Sequence, residues 1–128
     1  MSRIEHFAIF ADDLERLRSF YVEVMGLRVV VDNSRAPVPG YFLADDRGVA
    51  LEIIERPAGV PAVETRYVCH AAFLVEDVAA MRARLAARGC RFEDKTAVDT
   101  ETFKTAFFRD PAGNRCQIVW RRTPLAAD

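Results

Sequence analysis

The second half of the chain repeats the first, and this duplication limits the possible folds more than any other feature. Its two histidines, His6 and His70, hold matching places in the two halves, each in an apolar run that ends in an acidic pair. Other landmarks agree at offsets of 63 to 65: residues 4–13 with 68–77, Gly26 with Gly89, 45–48 with 110–113, and 51–53 with 116–118. The chain is therefore predicted to contain two copies of one supersecondary unit.

Each copy has the pattern β-α-β-β-β, which predicts an α+β fold. Apolar residues at three- and four-residue steps indicate one amphipathic helix per copy. Asp12 with Glu15 resembles a capping box for the first helix, Asp77 can cap the second, and Gly26 and Gly89 supply left-handed stops. Predicted strands cover residues 7–10, 28–31, 41–44, 49–54, 68–75, 91–93, 105–108 and 115–120.

Length and charge narrow the class of protein. A chain of 128 residues, 51% hydrophobic and 29% charged, fits a single domain, here two repeats over about 3–56 and 67–121 joined by a linker. A net charge of −1 argues against nucleic acid or an anionic membrane as partner. No run reaches the ~20 apolar residues of a membrane span, so a cytoplasmic protein is expected. Cys69, Cys90 and Cys116 form no Cys-x-x-Cys pair and are predicted to be buried thiols.

Period-two alternation selects the side chains that face away from the helices. It places Phe7, Ile9, Leu51 and Ile53 under the first helix and turns His6 and Glu52 to the open side. The same alternation in the second copy turns His70 and Gln117 to the open side. Polar residues within apolar strands need a partner or a function. Either they form a buried polar cluster, or, as favoured here, they bind one divalent ion such as Ni, Zn, Co, Fe or Mn.

Three segments carry a resemblance to a known family: Ile-Glu-His-Phe-Ala-Ile-Phe-Ala-Asp-Asp-Leu-Glu at 4–15, Ser-Phe-Tyr-Val-Glu-Val-Met-Gly-Leu at 19–27 and Phe-Phe-Arg-Asp-Pro-Ala-Gly-Asn-Arg-Cys-Gln-Ile at 107–118. Over residues 3–121 the chain resembles the vicinal oxygen chelate superfamily, also called the glyoxalase/bleomycin resistance/dioxygenase superfamily. The resemblance implies paired βαβββ modules forming a curved mixed sheet around a metal cleft, and commonly a homodimer. Its metal-ligand positions match His6, Glu52, His70 and Gln117.

The residue at 117 departs from the family pattern, because metal-dependent members commonly have Glu there. An amide can lend its oxygen to a metal but cannot accept and return a proton near pH 7. Glu52 is then the only candidate base. The favoured function is a metal-dependent isomerase or lyase of the glyoxalase type, acting on a hemithioacetal or a similar α-hydroxycarbonyl compound.

Two other functions stay open. His6, His70 and Glu52 match the two-His-one-carboxylate ligands of a non-haem iron dioxygenase, although the family's oxygenases usually place the carboxylate on the last strand. A metal-free antibiotic-binding protein of the bleomycin-resistance type would use the same face, with Phe10 and Phe42 stacking on a flat ligand. In either an enzyme or a binding protein, Lys104 is a candidate to reach this face and hold a substrate carboxylate.

Overall fold

The structure, a computed structural model, describes residues 3–63 and 69–125. Within them the chain makes two successive β-α-β-β-β runs, as the repeat predicts. The first run consists of β1 (His6–Ala11), α1 (Leu14–Glu23), β2 (Arg28–Asn33), β3 (Gly40–Ala44) and β4 (Ala50–Glu55). The second consists of β5 (Ala71–Leu74), α2 (Val78–Ala87), β6 (Phe92–Asp99), β7 (Phe103–Arg109) and β8 (Arg115–Arg121).

Each run forms its own four-stranded mixed sheet. The strand orders are β1-β4-β3-β2 and β5-β8-β7-β6. In both sheets the first strand lies parallel to the last, and the remaining pairs are antiparallel. The described residues fall into two compact units that divide after Val63, called unit 1 and unit 2 below. The α+β fold of two βαβββ modules is thereby confirmed.

In unit 1, α1 covers only part of its sheet. The helix packs against β3 and β4 and buries Leu14, Leu17, Phe20 and Tyr21 on that side. Leu51 and Ile53 of β4 are also buried, as predicted. Phe7 shares their side of the sheet, opposite Leu51, but is 43% exposed. The prediction that Phe7 packs under the helix is wrong, because β1 is an edge strand that α1 does not cover.

Unit 2 has a smaller helix interface. Leu85 is the one residue of α2 that is buried, and it faces a sheet side in which Phe108, Cys116 and Ile118 have no exposed surface. Cys90 is half-buried, and this burial raises the pKa of its thiol. Cys69 is exposed, because it precedes the first residue of β5 and lies outside the sheet. The prediction of three buried thiols is therefore right for Cys116 alone.

Most element boundaries move by a few residues from their predicted positions. The second strand of unit 2, β6, is much longer than predicted, with a register irregularity between Glu93 and Val98. The predicted start of β5 at Val68, the second copy's start at residue 67 and the linker's last residues, 64–66, lie outside the described residues. In the part that is described, no helix is long and apolar enough to cross a membrane.

The N-cap of α1 is Asp13 rather than the predicted Asp12. The Asp13 side chain accepts a hydrogen bond from the backbone N–H of Arg16 at 3.0 Å, and Asp77 does the same for Ala80 in α2. Asp12 instead accepts from the Arg56 guanidinium. The two caps, Asp13 and Asp77, occupy equivalent positions of the repeat.

Replacing Asp13 with alanine is expected to lower the free energy of unfolding by about 1 kcal/mol, because an N–H of the first turn loses its acceptor. Asp12→Ala is the matched control and should cost about 0.5 kcal/mol or less, since it removes only an exposed ion pair. Urea denaturation of both variants measures the difference. A larger loss of stability in Asp12→Ala than in Asp13→Ala would show that Asp12 is the N-cap after all.

Candidate functional site

His6 and Glu52 lie on the open face of unit 1, the side of its sheet away from α1. In the parallel pairing of β1 with β4, Ala8 stands opposite Glu52, and His6 is two residues before Ala8 on the same side. The Nε2 atom of His6 is 3.7 Å from Oε1 of Glu52. The predicted juxtaposition of this imidazole with this carboxylate is confirmed.

The surroundings of His6 orient its ring. Its Nδ1 is 2.8 Å from Oε1 of Glu5, and the ring of Phe42 meets it edge to face with centroids 5.1 Å apart. The contact of Nδ1 with Glu5 leaves Nε2 as the ring nitrogen on the side of Glu52. The distance between Nε2 and the Glu52 oxygen is too long for a hydrogen bond. It suits two donors that each lie about 2 Å from one ion.

Unit 2 repeats this arrangement with one change of chemistry. Gln117 of β8 stands opposite Ala72 of β5 and Phe107 of β7. The ring of Phe107 meets His70 edge to face at 5.0 Å, which puts His70 on the same side as Gln117. Phe107 is the repeat counterpart of Phe42, and the two pairs of rings have nearly the same geometry. The sequence held this signal, since Phe107 follows Phe42 at the same offset of 65 that relates Gln117 to Glu52.

The Gln117 amide is held from the side of β7. Its Nε2 donates to Oγ1 of Thr105 at 2.7 Å, and that hydroxyl donates to the backbone carbonyl of Ile118 at 2.8 Å. Gln117 is 9% exposed and Thr105 4%. With its nitrogen engaged, the amide can offer its oxygen, the atom that a metal would take.

A buried ion pair lies on the same face of unit 2, and no sequence pattern had indicated it. Arg115, two residues before Gln117, is 7% exposed and pairs with Glu93 through two hydrogen bonds of 2.7 and 2.9 Å. The guanidinium also lies 4.0 Å from the centroid of the Phe107 ring. Hydrogen bonding to Arg115 lowers the pKa of Glu93 below its usual value of 4.5. In unit 1, the position equivalent to Arg115 is Ala50.

The candidate substrate-binding residues divide between the two sides of their sheets. Phe10 and Phe42 lie on the open face of unit 1, with Phe10 half-buried. Lys104 is a correction, because it stands opposite Trp120 on the side of the unit 2 sheet that holds Phe108 and packs against α2. Lys104 lies on the same side of β7 as Ala106 and Phe108, as predicted. Because Gln117 pairs with Phe107, however, this side is the one opposite to Gln117. The Lys104 ammonium pairs with Asp99 at 3.3 Å.

Each unit thus contributes one imidazole and one side-chain oxygen to its open face. Among residues 3–63 and 69–125, no three His, Cys, Asp or Glu side chains form a group that could hold a metal ion. Within unit 1 the candidate donors are Nε2 of His6 and the Glu52 carboxylate, and within unit 2 they are His70 and the Gln117 oxygen. This donor chemistry fits a first-row divalent ion, and the four-residue ligand set stays a prediction.

Solved structures with the same fold include proteins of different activity. The antibiotic binding protein TnmS3 from Streptomyces sp. CB03234 superposes with a TM-score of 0.73 at 23% identity, over 94% of this chain and 97% of that chain. A lactoylglutathione lyase from Agrobacterium tumefaciens has a TM-score of 0.68 at 23% identity, over 94% of both chains. The fosfomycin resistance protein FosX from Listeria monocytogenes has a TM-score of 0.75 at 16% identity, over 98% and 96%. At these identities the likeness shows the fold alone.

The family itself is shown by sequence. No curated protein matches the chain significantly. The profile of the Glyoxalase/Bleomycin resistance protein/Dioxygenase superfamily matches residues 3–118, which is nearly the whole chain. The chain therefore belongs to the Glyoxalase/Bleomycin resistance protein/Dioxygenase superfamily.

Proposed function

We propose that this protein is a divalent-metal-dependent isomerase or lyase of the glyoxalase type, acting on a small chelating α-hydroxycarbonyl compound or a hemithioacetal. The observation that carries the proposal is the His6–Glu52 pair, in which Nε2 of the imidazole and a carboxylate oxygen lie 3.7 Å apart on one open face. Members of the superfamily commonly bind a divalent metal, and a lyase is among the proteins that share the fold.

The proposed ligands are His6 and Glu52 from unit 1 with His70 and Gln117 from unit 2. Two imidazoles, a carboxylate and an amide oxygen suit Ni, Zn, Co, Fe or Mn, and four ligands leave positions open for substrate. When bound, such an ion would act as a Lewis acid for two adjacent substrate oxygens. The absence of cysteine from the set favours a catalytic site over a structural one.

Glu52 has a second proposed role as the base. It is the only carboxylate of the four, and its side chain is 24% exposed, so it can be reached by a substrate. We propose that Glu52 takes the proton from the carbon that bears the hydroxyl group and returns it to the former carbonyl carbon, while the hydroxyl proton passes to the former carbonyl oxygen. Gln117 cannot share this task, because an amide does not accept a proton near pH 7.

A metal-free antibiotic-binding protein is the second candidate function. It is favoured by the two edge-to-face pairs, His6 with Phe42 and His70 with Phe107, which present aromatic surface beside a polar atom. The solved structures that share the fold include an antibiotic binding protein. An iron dioxygenase that uses His6, His70 and Glu52 as its ligands stays a separate enzymatic alternative, which differs from the isomerase in the reaction that the site would catalyse.

Metal analysis of protein purified without a histidine tag distinguishes the two candidates. We expect nearly one divalent ion per chain, and a loss of affinity of about 100-fold or more in both His6→Ala and His70→Ala. Lys104→Ala is the control and should keep the metal, because Lys104 lies on the opposite side of its sheet from Gln117. A metal-free wild-type protein that binds a planar antibiotic would contradict the enzyme and support the second candidate.

A further inference from the structure

The hydrogen bonds around Thr105 determine which way the Gln117 amide points. A threonine hydroxyl has one proton, and the Thr105 proton is directed at the Ile118 carbonyl, 2.8 Å away. Toward Gln117, Thr105 can then only accept, which matches the 2.7 Å contact with Nε2. The NH₂ group is thereby held against β7, and Oε1 is the end left for a ligand.

This contact also discriminates between glutamine and glutamate at position 117. A carboxylate has no proton to donate near pH 7, so it would face a lone pair of the Thr105 oxygen. Thr105 could donate a hydrogen bond to a carboxylate only by breaking its hydrogen bond to the Ile118 carbonyl. In a buried site such a loss is costly, since both side chains are less than one-tenth exposed.

Unit 1 has no hydroxyl group in the position equivalent to Thr105. Thr105 stands opposite Val119, two residues beyond the Phe107–Gln117 pair, and Gly40 has the same place relative to Phe42 and Glu52. A Cβ at Gly40 would lie 2.7 Å from the carbonyl oxygen of Ile53, so no side chain fits there. Thr105 therefore accompanies the amide ligand and has no counterpart beside the carboxylate.

We propose that Thr105 is a positioning residue that holds Gln117 as a neutral oxygen ligand and so gives the site its preference for anionic chelating ligands. This inference rests on the proposed metal-binding function. With one carboxylate instead of two, a divalent ion and its ligands keep a formal charge of +1. A ligand that chelates as an anion, such as a hydroxamate, is then favoured by charge as well as by coordination.

The test is a double-mutant cycle on Zn²⁺ affinity, measured by competition with a chromogenic chelator. Thr105→Val should weaken Zn²⁺ binding about 10-fold or more, the usual effect of losing a partner that orients a ligand. Thr105→Ser, which keeps the hydroxyl, should restore it. In a Gln117→Ala background Thr105→Val should have no further effect, because its role passes through the amide. The Gln117 side-chain NH₂ signals in a ¹H–¹⁵N spectrum should move in Thr105→Val and not in Thr105→Ser.

A second arm tests the charge preference. The Zn²⁺-loaded Gln117→Glu variant should bind acetohydroxamate about 10-fold more weakly than wild type, and tighter binding would overturn this part of the proposal. Zn²⁺ binding that is unchanged in a folded Thr105→Val variant, or weakened equally in the Gln117→Ala background, would overturn the positioning role alone. Failure of the wild-type protein to bind Zn²⁺ would instead overturn the proposed function, and the inference with it.

Discussion

Replacement of Glu52 with glutamine is expected to lower kcat by about 10²- to 10⁴-fold, the usual contribution of a general base. The substitution keeps an oxygen donor beside His6, so the metal should stay bound. It removes the only carboxylate of the proposed ligand set, and both oxygen ligands then become amides. Turnover on hemithioacetals, measured together with metal content, separates loss of the base from loss of the ion.

Glu55→Gln is the matched control for this prediction. Glu55 lies on the same strand, β4, three residues further on, and is exposed on the opposite side of the sheet from Glu52. Its conversion to an amide makes the same change of charge and should leave both kcat and metal content unchanged. If the Glu52→Gln variant retained more than about a tenth of wild-type kcat, Glu52 would not be the base.

Glu93→Gln is expected to lower the free energy of unfolding by about 2 to 3 kcal/mol, because it leaves the buried Arg115 guanidinium without its anion. The value is reduced from that of a fully buried pair, since the Glu93 side chain is 32% exposed. Arg115→Met should cost less, about 1 to 2 kcal/mol, because the remaining Glu93 carboxylate can be hydrated. Urea denaturation of the two variants and of the double variant measures this asymmetry. Equal losses in both single variants would contradict it.

The Glu93–Arg115 ion pair also predicts that the free energy of unfolding depends on pH. The hydrogen bonds from Arg115 lower the pKa of Glu93 in the folded protein below the usual 4.5. Glu93 therefore stabilises the fold above about pH 4.5, and this contribution is lost as the pH falls through the lowered pKa. The difference in unfolding free energy between wild type and Glu93→Gln should shrink as the pH falls from 7 to 3. A difference that stayed constant over this range would show that the ionised carboxylate contributes nothing.

The face shared by His6 and Glu52 was predictable from alternation, because a strand with no bulge keeps its period and β1 and β4 pair without irregularity. Lys104 shows where alternation by itself is insufficient. The residues that share its side of β7 were predicted correctly. Which side of the sheet they occupy depends on the pairing of Phe107 with Gln117, and this register is set by contacts between strands. The cap at Asp13 was missed by one residue, because either carboxylate of the Asp12–Asp13 pair can precede a helix.

By itself, the sequence determined the duplication, the β-α-β-β-β order and which polar residues of the strands are candidates for the site, since these follow from spacing and from the periods of helix and strand. The tertiary structure alone decided the partners of those residues. Thr105 beside Gln117, Glu93 on Arg115 and the exposure of Phe7 all depend on strand register and on which strands the helix covers. The first two of these contacts join residues that are 12 and 22 positions apart, beyond the reach of any local period.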